Sequence, residues 1–444
     1  MSQSTRGTLG RPHSLTRRRF LGYSAAAVSA TSLLAGCGPD SSKTGSASTE
    51  LTFMNQSRGQ KDALAKLVKS YQEQTGVRVT VDNVGPVDFP TKLQSKSQSG
   101  DMPDIYSALL VADMIPYYKA GWALDLSSEL KGDWKKNFAS TALELATIPE
   151  GNASGVKPGI YSAHWEIQLW GLLRNTTAYK DAGVDPGKDL ATTKDWVDQL
   201  TAISKHSGNG AFLVAASLTP YLLQTFAANW LTDAEITATF AGTAPWTADG
   251  WRKALQAIGD LVEAGVIVNK AIPGGNDDNP NVEKSFFNVQ DAASIFDASV
   301  AVGVGRATAP DFTDYTSAAV PATPDATQKP RAVGNIGKGA CINPKGKNVD
   351  AAVAFVKWLT EPDQAKVFAD MVGLVPANPA LKSDDLAPQS SGLAAQLNNI
   401  QVIRTPFSSD TRAVIGSGVQ ALALKEKTVD QILAEVQTAQ KKSK

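Results

Sequence analysis

Hydrophobic periodicity begins near residue 50. Leu51-Thr52-Phe53-Met54 predicts a strand running into the polar loop Asn55-Gln56-Ser57-Arg58-Gly59. Ala63, Leu64, Leu67, Val68 and Tyr71 then recur at helical spacing and stop at Gly76. Val77, Val79 and Val81 alternate with Arg78, Thr80 and Asp82, the pattern of a half-buried strand. A polar helix around 91–99 and a strand entered at Pro103-Asp104-Ile105-Tyr106 repeat this β-α-β order, which argues for an α/β class with largely parallel sheets. Further on, Thr193 can cap a helix carrying Trp196, Val197, Leu200 and Ile203, and Trp251 to Val262 repeats the pattern up to Gly265. Residues 350–359 and 363–372 predict two helices separated by Pro362. Thr428 and Gln431 are spaced as a capping box for a last helix using Val429, Ile432, Leu433 and Val436. Trp196 and Trp358 sit at apolar helix spacing and read as core. No internal repeat of 20–50 residues is present.

Composition narrows the function classes. The 444 residues contain 43 Lys+Arg, 43 Asp+Glu, 3 His and 2 Cys, so the formal charge is zero. At about 100–200 residues per domain, this length predicts two or more domains. The neutral balance leaves no basic footprint, and nucleic acid is not an expected partner. Two cysteines cannot frame a disulfide scaffold, and three histidines argue against a His-rich metal site.

The balance hides an asymmetry. Residues 1–36 hold five arginines and no acid, and the rest of the chain carries a net charge of −5. Thr16-Arg17-Arg18-Arg19-Phe20-Leu21 leads into an uncharged Ala/Ser-rich stretch that ends in Leu34-Ala35-Gly36-Cys37. A basic segment, a mildly apolar segment and small residues before a cleavage point describe a signal peptide. The paired arginines resemble a twin-arginine signal. Leu-Ala-Gly-Cys resembles the bacterial lipobox, in which Cys37 becomes the first, lipid-bearing residue and anchors the chain to the membrane. The stretch 38–49 is rich in Ser, Gly and Thr and reads as a flexible tether. The remaining thiol, Cys341, reads as a small buried hydrophobe in a strand.

Several segments after the tether follow one another in a familiar order. They are Ser99-Gly100-Asp101-Met102-Pro103-Asp104-Ile105, Gly121-Trp122-Ala123-Leu124-Asp125-Leu126, Leu172-Leu173-Arg174-Asn175, Asp181-Ala182-Gly183-Val184, Ala292-Ala293-Ser294-Ile295-Phe296-Asp297, Phe355-Val356-Lys357-Trp358-Leu359 and Gly373-Leu374-Val375-Pro376-Ala377. Together with the lipobox they resemble the family 1 extracellular solute-binding proteins of bacterial ABC importers, the group of maltose-binding protein. Two positions depart from the family pattern: Arg174-Asn175 stands where Tyr-Asn is usual, and Asp297-Ala298-Ser299 where a glycine-rich turn is usual.

The resemblance implies a two-lobe α/β fold of the periplasmic-binding type II class. Each lobe would be a mainly parallel sheet flanked by helices, with the ligand cleft at the hinge. Residues 1–36 would be the signal, 37–49 the lipidated cysteine and tether, 50–161 plus 334–372 the first lobe, and 166–330 plus 376–444 the second. The implied protein is a monomer on the outer face of the cytoplasmic membrane. It would capture a carbohydrate, expected to be a neutral oligosaccharide, and deliver it to ABC permease subunits. It would use no cofactor.

A neutral sugar presents hydroxyls and apolar C–H faces, so its site needs aromatic platforms beside a few polar groups. In His164-Trp165-Glu166-Ile167-Gln168-Leu169-Trp170 polar and aromatic residues alternate. Trp165 and Glu166 are candidates if the backbone turns at a strand end; the competing reading is an amphipathic edge strand with Trp165 in the core. Gln56 and Arg58 after the first strand, Asp113, the run Tyr221, Gln224 and Trp230, and Asp297 at a late strand end complete the candidate set. Asn276-Asp277-Asp278-Asn279 lacks the spaced ligands of a calcium loop and reads as a polar turn. A surface-anchored glycan-processing enzyme is the alternative function, but it needs two carboxylates about 5–9.5 Å apart, and Glu166 stands alone in its aromatic context. A metal protein would have to rely on carboxylates.

Overall fold

A computed structural model describes residues 50–442 apart from 57–58, 153, 188–189, 269–278, 404 and 406–407. The export signal, Cys37, the tether, Arg58 and most of the 276–279 turn lie outside the described residues. In chain order the strands are β1 (Glu50–Gln56), β2 (Arg78–Val84), β3 (Ile105–Ala108), β4 (Thr147–Ile148), β5 (Gly159–Ile160), β6 (Ala163–His164), β7 (Glu166–Asn175), β8 (Phe212–Val214), β9 (Ser294–Ala298), β10 (Tyr315–Ala318), β11 (Gly334–Ile336), β12 (Gly339–Ile342) and β13 (Val375–Pro376). They form two main sheets, ordered β2-β1-β3-β12-β6 and β10-β7-β9-β8. β11 and β13 also pair with β7, and β4 with β5 makes a separate ribbon.

The opening β-α-β unit forms as its pattern requires. β1 lies parallel to β2 and β3, with Leu51 and Phe53 buried. The helix Lys61–Thr75 buries Ala63, Leu64, Leu67 and Tyr71 and ends at Gly76 with φ 73°, a left-handed turn that glycine adopts without a Cβ clash. Val349–Leu359 and Pro362–Val372 are the expected helix pair. Proline stands in the first turn of the second helix, where its missing N–H costs nothing. The helix Thr193–Ser207 is capped by Thr192, one residue before the expected Thr193, through a reciprocal pair with Asp195. Both threonines are suitable caps, and the acid three positions beyond Thr192 decides between them.

The two sheets share a design. β12 runs antiparallel to its neighbours in the first sheet, and β7 to β9, β10, β11 and β13 in the second; every other strand in each sheet points one way. These are two α/β lobes, the fold class the sequence implied. β7 is no edge strand: it is central, and nine of its ten residues are buried. A strand covered on both faces does not sort polar from apolar by alternation.

One core is centred on the second sheet and draws in Trp196, Trp246 and Trp251, with Ile432, Leu433 and Val436 of the last helix. Another holds Leu51, Phe53, Trp134, Trp165, Phe355 and Phe368 around the first sheet. Trp358 is partly buried against that core, and Cys341 is fully buried in β12. Among the described residues no helix is long and apolar enough to cross a membrane.

The helix Pro388–Ala394 lies close on β10 because residue 392 has no side chain. A Cβ there would fall 1.8 Å from the Ser317 carbonyl oxygen. Gly392→Ala is expected to destabilise the fold by about 1–3 kcal/mol through this overlap. Denaturant unfolding with an unchanged midpoint would remove the close approach as its reason.

Candidate functional site

The chain passes from the first sheet to the second where β6 runs into β7, and back where β11 runs into β12. Residues 165–166 and 337–338 therefore lie side by side. A Cβ on Gly337 would meet the Glu166 side chain at 2.7 Å, and one on Gly339 the Ala163 carbonyl oxygen at 2.4 Å, so glycine at these positions lets the two crossings touch. A buried polar network occupies the junction. Glu166 Oε2 accepts from the Gln60 amide at 3.1 Å and from the Lys338 backbone N–H at 3.1 Å. The Lys338 ammonium donates to the Gln56 carbonyl oxygen at 2.8 Å and to the Gln56 side-chain oxygen at 2.5 Å. The Trp165 indole N–H donates to Gln60 at 3.3 Å. All five side chains are at most 9% exposed. The end of β1 is thus tied to both crossings, and the Gln56 backbone N–H is held in addition by Ser107.

A second chain of bonds runs beside it. His164 Nδ1 faces the Gly337 carbonyl oxygen at 2.8 Å, His164 Nε2 the Ser162 hydroxyl at 2.8 Å, and Ser162 the Tyr118 hydroxyl at 2.9 Å. Because a carbonyl only accepts, Nδ1 carries the proton and Nε2 accepts from Ser162. Burial pushes the imidazole down to a pKa of about 4, against a smaller upward pull from the Gly337 carbonyl.

Outward from the junction, each lobe presents aromatic and charged groups. In the second lobe Tyr221 stacks on Trp170 with ring centroids 4.7 Å apart and 16° between planes, and Tyr221 keeps part of its surface exposed. In the first lobe the helix Val111–Lys119 places Asp113 and Tyr117 one turn apart, on one face. Tyr117 stacks on Trp122 at 5.5 Å. Surrounding protein raises the Asp113 carboxyl above its ordinary pKa although its surface is open, and the Arg412 guanidinium draws it back down. Arg412 belongs to the helix Ser409–Ala423, which packs into the second core, so the Asp113 face looks toward the second lobe. Among the described residues no three His, Cys, Asp or Glu side chains group to hold a metal.

With this geometry in place, the sequence is found to match a known family model. The model for bacterial extracellular solute-binding proteins fits residues 66–395. The chain belongs to that family. A maltooligosaccharide ABC transporter solute-binding lipoprotein of Streptococcus pneumoniae serotype 4 is 25% identical over 388 residues, covering 80% of each chain. The cyclic alpha-maltosyl-1,6-maltose binding protein from Arthrobacter globiformis has the same fold, with a TM-score of 0.68 at 22% identity over 88% of this chain and 98% of that one. The GacH receptor of Streptomyces glaucescens, solved unliganded and with acarbose, gives a TM-score of 0.69 at 17% identity over 89% and 98%.

Within this solute-binding protein the sequence candidates separate into groups. Gln56, Trp165 and Glu166 meet at the hinge, but as a buried network. Trp165, at a bend between β6 and β7, is 2% exposed and stacks on Phe368 at 5.4 Å. Tyr221 joins Trp170, and Asp113 faces Arg412. Gln224, on the helix of Tyr221, donates to buried Gln401 at 2.9 Å. Trp230 has its indole N–H on the Asp325 carbonyl oxygen and Lys253 over its ring. Asp297 is buried and accepts from Asn279 and from the Ala298 N–H. It pairs across the strands with Gly171, whereas Trp170 pairs with Ala298, so Asp297 lies on the sheet face opposite Trp170.

Sequence reasoning missed Gln60, Lys338, Tyr117, Trp122 and Arg412, and did not select Trp170. Gln60 carried a usable signal. It stands where a helix cap belongs, glutamine is a poor cap, and its side chain caps nothing.

Proposed function

We propose that this solute-binding protein captures a neutral oligosaccharide between its lobes and passes it to the permease of an ABC importer. Oligomers of α-linked glucose are the first candidates. The observation that carries the reading is the Trp170–Tyr221 stack, a rigid aromatic platform with an exposed part, opposite a lobe that offers Asp113, Tyr117 and Trp122. Apolar C–H faces of a pyranose suit such a platform, and the polar groups suit its hydroxyls. The maltooligosaccharide-binding relatives at 25% identity favour the glucan. In this reading Cys37 carries the lipid anchor after export, the protein acts as a monomer, and the lobes meet at the crossings near 162–166, 336–339 and 372–376. Closure follows from tighter binding of sugar to the closed state.

Thermal unfolding against maltooligosaccharides, chitooligosaccharides, xylooligosaccharides, amino acids and polyamines tests this. A ligand at 100 times its Kd stabilises the fold by about 2.7 kcal/mol. A shift with an oligosaccharide recovered intact is expected, weakened about tenfold in affinity or more by Tyr221→Ala. A shift confined to charged solutes would discard the carbohydrate, and cleavage of the sugar would bring back the enzyme.

A further inference from the structure

Arg174 departs from the family pattern, and its surroundings give it a use. It sits in β7 at 8% exposure, its Nε is buried without an acceptor, and among the described residues no ion pair involves it. Its direct cross-strand neighbours are Thr316 on β10 and Ser294 on β9, whose side chains share its face of the sheet. Over that face lie Tyr179, from the short helix after β7, and Trp196, from the helix Thr193–Ser207. Both are fully buried. The Tyr179 hydroxyl is close enough to Arg174, Ser294 and Trp196 for all three to ease its ionisation against burial, which pushes it up to about 12. The Thr316 hydroxyl likewise has no partner, while the Trp196 indole N–H and the Tyr179 hydroxyl reach each other, and Tyr179 reaches Ser294, only short of well-formed hydrogen bonds.

The chemistry of this cluster is one-sided. A guanidinium and an indole can only donate, and the hydroxyls donate as readily as they accept. A water or a sugar hydroxyl could give its protons to the tyrosine and threonine oxygens, but it brings no charge. Neither neutralises a buried guanidinium, whose burial is costly without a counter-charge. An anion answers all of these donors at once and supplies that charge. The residual exposure of Arg174 gives an ion a way in, while fully buried Tyr179, Trp196 and Ser294 restrict its size.

We infer that Arg174, Tyr179, Trp196 and Thr316 form a site for a small monovalent anion of the chloride class inside the second lobe, separate from the hinge. The inference stands whether or not the ligand is a sugar. It is tested by thermal unfolding of the full chain in sodium chloride against sodium gluconate at one ionic strength, which separates a specific ion from general screening. Chloride is expected to raise the midpoint saturably by about 2–4 °C, and Arg174→Gln to abolish the difference between the two salts. Thr316→Val, which leaves the charge in place, is expected to weaken the dependence and serves if the arginine variant does not fold. Crystals grown in sodium bromide are expected to show anomalous density beside the guanidinium. Equal midpoints of the native protein in the two salts, or no bromide density at Arg174, would overturn the site.

Discussion

Lys338→Met is expected to remove about 2–4 kcal/mol of folding stability, from two lost hydrogen bonds of a charged donor and the buried acceptors they leave behind. The ammonium is the donor to both the backbone and the side-chain oxygen of Gln56. Methionine fills similar volume but leaves those acceptors unpaired, at a cost of about 1–3 kcal/mol for a buried group. The Lys338 backbone N–H still reaches the buried Glu166 carboxylate, so the substitution isolates the loss at Gln56. Lys194→Met supplies the contrast. Lys194 pairs with Asp198 at 2.7 Å, but those side chains are 72% and 63% exposed, so solvent screens the pair and its loss is expected to leave the midpoint nearly unchanged. Equilibrium urea unfolding of both variants decides the matter, because a midpoint change at constant slope reports stability alone. Similar small losses in the two would mean that the hinge network is solvated and does not hold the end of β1.

Much of the fold was legible because its signals are local. The β1–β2 unit is short, its register follows from Leu51 and Phe53 against Val79 and Val81, and a glycine marks the turn. Thr428 and Gln431 bond as a capping box because every atom involved lies within four residues. The hinge resisted for the opposite reason. Lys338 meets Gln56 across 282 residues and Gln60 meets Glu166 across 106, and neither pairing leaves a trace in periodicity. The run around Trp165 was ambiguous for a physical reason: the chain bends at Trp165, which breaks the alternation, and β7 beyond it is covered on both faces. Trp230 is a different case. It lies near Tyr221 in the chain, but beyond the end of the helix Thr219–Ala227, where the backbone turns its ring toward Lys253 and Asp325. The order of the sequence motifs identified the family, whereas the side chains that meet a ligand depend on contacts between distant segments.

The fold is expected to lose about 2 kcal/mol between pH 7 and pH 5 through His164 alone. In the native state burial holds its pKa at about 4, whereas the unfolded chain has the ordinary value of about 6.5. Below 6.5 the unfolded state binds the proton and the native state does not, so acid favours unfolding. The contribution is fully present above the unfolded pKa and is lost as pH falls from about 6.5 to about 4, reaching about 3 kcal/mol in all. Geometry explains why the native site refuses the proton. With Nδ1–H committed to the Gly337 carbonyl, a second proton on Nε2 would point at Ser162. Ser162 would have to accept and turn its own proton to Tyr118, whose hydroxyl proton would then need a new partner in a buried site. His164→Gln keeps a polar side chain without a titratable one. The stability difference between native and variant protein, measured by urea unfolding from pH 7.5 to pH 5, is expected to shrink by about 2 kcal/mol as pH falls. Carboxylates common to both proteins cancel from that difference. Parallel pH profiles would show that the imidazole is solvated or already protonated when native. The second case would leave two donors facing Gly337 and Ser162 and would reverse the direction of the whole Tyr118–Ser162–His164 chain.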